Sequence, residues 1–533
     1  MTPHHIPSAA PAMGGGRVTA RRTAVLALAV AAACAATAPA ATATPDSDRS
    51  GAPPGLSRYY HQRLDWRSCL QGPDDATGAE LERAGARCAD VTVPLDYADP
   101  RGRSITVAIS RIRATDTRHR IGALLLNDGG PGGATLDTPP RVHAALKDVA
   151  GRYDVVGVDP RFVGRSTPLN CGWPVGTALL SAGTDRSAFD RQVALHKGLA
   201  AKCRAAAADV LPFAGTRNTA RDMDVIRGAL GERRISYLGV SYGTYLGTVY
   251  TQMFPGRYDR VVLDGALDPR VYGPRMLPTL LASNERALAD WAAWAAARHD
   301  THRLGRTPEE VVAGLRGIVA AAARGPLTVG TGPEAFRLDD TQVPLLLFAG
   351  LADDTDDSRT ALAENAALLT EAAAGRPTRP SPSFTATLRT FFTGAGSASA
   401  SSQQATLCAD GEAPRDPETY WRDVERSRTE HPLLGPAFNN ISPCAFWDRP
   451  REPRTEVRRD APALIVAATG DPRTPYPGSV ALRGLLPSSR LLTLQGANRH
   501  ALYGMYGNAC VDTAVNAYLA TGVLPSEDVT CAK

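Results

Sequence analysis

Five residues, Gly239-Val240-Ser241-Tyr242-Gly243, constrain this chain more than any others. They follow an apolar stretch, 235–238, and open a helix-like segment, 244–254. A bare G-x-S-x-G arises often by chance, and the flanking strand and helix give this one its meaning. A serine on so sharp a bend has its hydroxyl lifted clear of the sheet, and only glycine beside it lets the strand and helix backbones approach. The pattern predicts that Ser241 is a nucleophile.

A serine hydroxyl is a poor nucleophile at neutral pH, so it needs a base, and the base needs an orienting acid. In a strand–turn–helix setting of this kind the partners follow in the order serine, acid, histidine. Asp471 stands in Thr469-Gly470-Asp471-Pro472, just past the apolar run 463–467. His500 closes Gly496-Ala497-Asn498-Arg499-His500, just past the next run, 490–494. The other histidines have weaker settings. His431 precedes a proline, His299 and His302 flank a helix end, and His143 and His196 sit in helical stretches. Asp264, directly after the run 261–263, is the rival acid, although Leu263-Asp264-Gly265 suits a structural turn. The developing oxyanion needs fixed N–H donors. One is expected from the backbone of Tyr242. The other is expected from the glycine-rich run 127–133, with Gly130 as its donor. No Lys-Ser/Thr follows that run, which excludes a P-loop.

The expected strands 123–126, 153–158, 235–239, 261–263 and 463–467 are continuously apolar and alternate with helical patterns. That is the signature of a mostly parallel sheet covered on both faces, an α/β fold. Two alternating stretches, 91–97 and 105–109, precede them as a strand pair. From about residue 271 to 454 the logic changes to Ala-rich helices at 283–299, 308–323, 358–374 and 417–429. This segment reads as a helical cap inserted between a core part at 46–270 and a core part at 455–533. Residues 46–64 read as a linker and 394–402, rich in Gly, Ser and Ala, as a flexible loop.

Residues 1–45 carry Arg17, Arg21 and Arg22, no acid, an apolar stretch from 24 to about 36, and small residues after it. They read as an export signal, too short for a membrane span. The twin arginines permit Tat export, and Cys34 resembles a lipobox cysteine only faintly. Three of the charges behind the formal +5 lie in that leader, and no basic run of five follows, so nothing marks a nucleic-acid partner. Setting Cys34 aside, an even number of cysteines remains, as expected of disulfides in an exported chain. Short loop closure favours the pairs Cys69–Cys88, Cys171–Cys203, Cys408–Cys444 and Cys510–Cys531 among 105 connectivities. No CxxC or His-rich spacing offers a metal site, and no cofactor is expected.

With these residues in place, the chain resembles the secreted bacterial tripeptidyl-aminopeptidase branch of the α/β-hydrolases, relatives of the proline iminopeptidases. The resemblance is carried by 88–97, Gly129-Gly130-Pro131-Gly132-Gly133, 153–161, 241–247, Asp471-Pro472-Arg473-Thr474-Pro475-Tyr476 and the tail 509–531. It implies an α/β-hydrolase fold and exopeptidase action on peptides with a free N-terminus, with an acyl-enzyme at Ser241. It also implies cap acids that hold the substrate's amino group. Glu285 and Asp290 are available for that, although solvated helix charges explain them as well. Three positions depart from the family: Asp128 for a usual Pro, Phe162 for a usual Gly, and Asn498-Arg499 for small residues before the histidine. The first two bear on the oxyanion loop and its neighbour, the third on the space around His500. A carboxylesterase or lipase-like enzyme on the same triad, and a non-catalytic binding protein on the same fold, are the competing readings.

Overall fold

The continuously apolar runs become buried strands because both faces of each are covered. The structure, a computed structural model, describes residues 51–533. The leader with Arg21, Arg22 and Cys34 lies outside the described residues. The strands are β1 (Arg87–Pro94), β2 (Ser104–Ile112), β3 (Gly122–Asn127), β4 (Tyr153–Val158), β5 (Ile235–Val240) and β6 (Tyr258–Asp264). A hairpin, β7 (Leu327–Val329) and β8 (Phe336–Leu338), comes next, followed by β9 (Leu464–Ala468), β10 (Arg490–Gln495) and β11 (Val529–Ala532). Apart from the hairpin they form one sheet in the order β1-β2-β4-β3-β5-β6-β9-β10-β11. Pairing is antiparallel from β1 to β4 and parallel from there to β11. The chain therefore has the α/β-hydrolase type of mixed sheet, with β5 near its centre.

Alternation within each strand divides the core. Leu125, Val156, Tyr237, Leu263 and Ile465 face the helices Thr216–Ala229 and Tyr242–Met253. Leu124, Val155, Leu238, Val262 and Val466 face Pro139–Leu146 and Ala509–Thr521. Successive side chains of a strand point to opposite faces, so a fully apolar run serves two helical layers at once.

Between β6 and β9 the chain builds a second core from Trp291, Leu315, Ile318, Leu346, Leu369 and Phe438. The helices Leu281–Ala296, Pro308–Arg324, Asp356–Ala373 and Pro417–Glu430 fall where the apolar spacing put them. The segment is not wholly helical, because β7 and β8 pair within it.

Two expectations are overturned. The stretch 394–402 is a short 3-10 turn and the start of the helix Ser397–Asp410, with Ser397, Ser401 and Ser402 buried. Its small residues serve close approach: Ser399 Oγ donates to Gly132 O at 3.1 Å, and a Cβ on Gly132 would lie 2.6 Å from Gln403 N. The described part of the supposed linker is also packed. Leu56, Tyr59 and Tyr60 are buried, and the Tyr60 hydroxyl donates to Asp224.

Among the described residues the cysteines are bonded as Cys69–Cys88, Cys171–Cys203, Cys408–Cys444 and Cys510–Cys531.

Candidate active site

Parallel strands present their carboxyl ends at one edge, and the loops that leave that edge carry Ser241, the glycine-rich run, Asp471 and His500. Ser241 follows β5, the glycine-rich run follows β3, Asp471 follows β9 and His500 follows β10.

Ser241 has φ 58° and ψ −123°, a bend that L-residues rarely adopt. The glycines around it are required by contact. A Cβ on Gly243 would overlap the carbonyl oxygen of Asn127, and one on Gly239 would overlap that of Gly243. The Ser241 N–H donates to Asp264 O at 2.9 Å, which fixes the bend to the end of β6.

Asp471 is nearly inaccessible, its side chain 2% exposed, and His500 is 18% exposed. His500 Nδ1 lies 2.9 Å from Asp471 Oδ2 and 3.1 Å from Oδ1. The carboxylate is held in turn by the N–H groups of Arg473 at 2.7 Å and Thr474 at 3.0 Å, and by Thr474 Oγ1 at 2.7 Å. Every remaining lone pair of the acid meets a donor, so the carboxylate is locked in one orientation toward the imidazole.

Asp264, the rival acid, does another job. Its Oδ2 accepts the N–H groups of Leu502 and Tyr503, both at 2.8 Å, so it pins the chain just after His500. Burial, partly offset by those two N–H groups, raises its carboxyl to about 6. Three of the rival histidines lie elsewhere. His431 faces Glu285 at 3.7 Å, His302 stacks on Trp294, and His196 is buried with neither ring nitrogen hydrogen-bonded among the described residues.

Ser241, Gly130, Asp128 and His500 all line one cavity of about 360 Å³. Its other walls are largely apolar, among them Leu179 and Leu180 from the chain before β5 and Leu280, Phe348, Phe438 and Ile441 from the segment between β6 and β9. The neighbouring Gly129 packs on the serine bend, where an added Cβ would stand 2.9 Å from Tyr242 N. Asp128, at the first departure, is held by Arg141 at 2.9 Å and Thr138 at 2.7 Å. Phe162, at the second, has φ 70° and is buried, which explains why glycine is the easier residue there.

One residue near the site carried no sequence signal. Asp410, buried at the end of the helix Ser397–Asp410, accepts from Thr216 N at 2.7 Å and Thr216 Oγ1 at 2.5 Å. Thr216 Oγ1 lies 2.7 Å from the hydroxyl of Tyr242. Burial raises the Asp410 carboxyl from the ordinary aspartate range to about 7. A carboxyl held more tightly by its proton in the folded state contributes stability at low pH that is lost as pH rises through the folded value. The melting temperature of the wild type is therefore expected to fall relative to Asp410→Asn between pH 5 and pH 8. Thermal unfolding of both proteins across that range checks this, because other titrating groups cancel in the difference. A difference that stays flat contradicts it.

A family model described as "TAP-like protein" matches residues 431–531, and one described as "alpha/beta hydrolase fold" matches 122–343. The tripeptidyl aminopeptidase of Streptomyces lividans is 35% identical, covering 91% of this chain and 90% of that protein. Serine protease Hip1 of Mycobacterium tuberculosis is 29% identical, over 84% of this chain and 87% of its own length. Carboxylesterase B of the same organism is 31% identical, over 88% and 89%.

Proposed function

The chain belongs to the tripeptidyl aminopeptidase family of α/β-hydrolase-fold enzymes; from that premise we propose an exported serine exopeptidase that releases short, tripeptide-type units from free peptide N-termini. Ser241 Oγ attacks the scissile carbonyl while His500 Nε2 takes its proton, and Asp471 holds the imidazole from the Nδ1 side. The N–H groups of Tyr242 and Gly130 receive the negative charge on the carbonyl oxygen. The imidazolium then gives its proton to the leaving amine. Water, activated by the same imidazole, frees the acyl peptide from Ser241.

One observation carries this reading: His500, which lines the same cavity as a serine held at φ 58°, has a buried carboxylate 2.9 Å from its Nδ1. Residues 271–454 serve as the cap, and their apolar wall limits how much of a peptide enters. Four disulfides among the described residues support export into an oxidising compartment.

The test is a paired assay with tripeptidyl-p-nitroanilides whose amino ends are free or acetylated. The free substrate is expected to be cleaved at least roughly tenfold faster, the factor that about 1.4 kcal/mol of lost amino-group binding produces. Equal cleavage of the two, or cleavage of simple esters alone, would favour a carboxylesterase, a reading that the apolar cavity wall also accommodates.

A further inference from the structure

A loop that leaves a strand has no repeating ladder to hold it, yet proton transfer tolerates errors of only a fraction of an ångström. The loop of His500 is gripped from two sides. On the sheet side Asp264 holds Leu502 and Tyr503. On the other side the grip comes from the cap, in the connection between the helices Val343–Gly350 and Asp356–Ala373. His500 N donates to Ala352 O at 3.0 Å. Asn498 N donates to Asp354 Oδ2 at 2.8 Å, and Asn498 Nδ2 to Asp290 Oδ2 at 2.6 Å. Arg499 pairs with Asp353. Asp354, its side chain 4% exposed, also receives Tyr506 Oη at 2.9 Å and Lys533 Nζ at 2.5 Å.

The same cap stretch reaches the loop of the acid. Arg473 lies over the Phe348 ring at 3.5 Å and donates to the carbonyls of Phe348 and, at 3.3 Å, Ala349. Residues 348–354 thus touch both loops of the acid–base pair. Asn498 and Arg499, the third departure from the family pattern, are engaged by acids of the cap.

We propose that the cap stretch 348–354, acting chiefly through Asp353 and Asp354, positions the base, so that His500 is aligned for proton transfer only while the stretch is seated on its loop. This rests on the reading of His500 as the base. Asp353, Asp354 and Arg499 are positioning residues, since none of them lines the cavity. Seating the cap and completing the triad then become one event.

The test uses the full-length enzyme with Asp354→Asn and, separately, Arg499→Met. Asp354→Asn places an amide donor where three donors converge. Arg499→Met removes the pair with Asp353 from a partly exposed edge and keeps the test available if the first variant fails to fold. Each is expected to lower kcat on the order of 10- to 100-fold with KM held within about twofold, the pattern of a misplaced base and not of lost binding. Arg499→Lys is expected to restore most of the turnover. The double variant Arg499→Met, Asp353→Asn is expected to lose no more than either single one. A purely structural role would lower the melting temperature and leave kcat per folded molecule unchanged, and that result in both single variants overturns the proposal. If the wild type cleaves only esters, the exopeptidase reading fails, and the same kcat comparison on an ester still decides this one.

Discussion

Ser241→Ala is expected to lower kcat on the order of 10⁶-fold, with KM and the melting temperature close to wild type. Alanine removes only the hydroxyl, and the bend at φ 58° costs it no more than it costs serine. The backbone donors of Tyr242 and Gly130 and the cavity walls stay in place, so binding survives while the acyl-enzyme cannot form. Steady-state hydrolysis of the free tripeptidyl-p-nitroanilide checks this. A loss of less than about 10²-fold would mean that another group attacks the substrate.

Asp471→Asn is expected to cost about 10⁴-fold in kcat without unfolding the protein. The amide oxygen can keep the N–H groups of Arg473 and Thr474, which bond Oδ1 at 2.7 and 3.0 Å. The amide nitrogen then faces the two partners of Oδ2, Thr474 Oγ1 at 2.7 Å and His500 Nδ1 at 2.9 Å. The hydroxyl can turn and accept. The imidazole must also accept, which moves its proton to Nε2, the nitrogen that has to take the proton of Ser241. The base is thus stalled by a tautomer and not by displacement. Circular dichroism with kcat measurement separates this from a folding defect, and near-normal turnover in a folded variant would remove Asp471 from the mechanism.

Much of this arrangement was legible in the residues because it is local. The runs 153–158 and 235–239 read as buried strands since a parallel strand needs apolar side chains on both faces. Gly239 and Gly243 announced the bend because backbone contact there admits no Cβ. The meeting of Asp471 and His500 could be anticipated because each stands just past an apolar run, and parallel strands deliver such positions to one edge.

What stayed hidden depends on partners distant in sequence. Ser397, Ser401 and Ser402 have the composition of a loose loop, yet all three are buried, Ser397 and Ser401 accepting from the N–H groups of Trp173 and Cys171 and Ser402 donating to the carbonyl of Phe162. Tyr59 and Tyr60 sit in a polar, Gly/Pro-bearing stretch, and only the presence of Asp224 and Ser104 beside their hydroxyls makes that stretch part of the core. Asn498 and Arg499 looked like crowding before the histidine, and only the fold brings Asp290, Asp353 and Asp354 to meet them. Asp410 could not be distinguished from any other helix-end acid until its burial against Thr216 was known.

The most direct measurement is to treat the folded enzyme with a fluorophosphonate and locate the adduct by peptide mass spectrometry. A single phosphonyl group on Ser241, formed at a rate that collapses in Asp471→Asn and vanishes on denaturation, is the predicted result. An adduct on a different residue of active enzyme, or full activity after Ser241 has been labelled, would contradict the account.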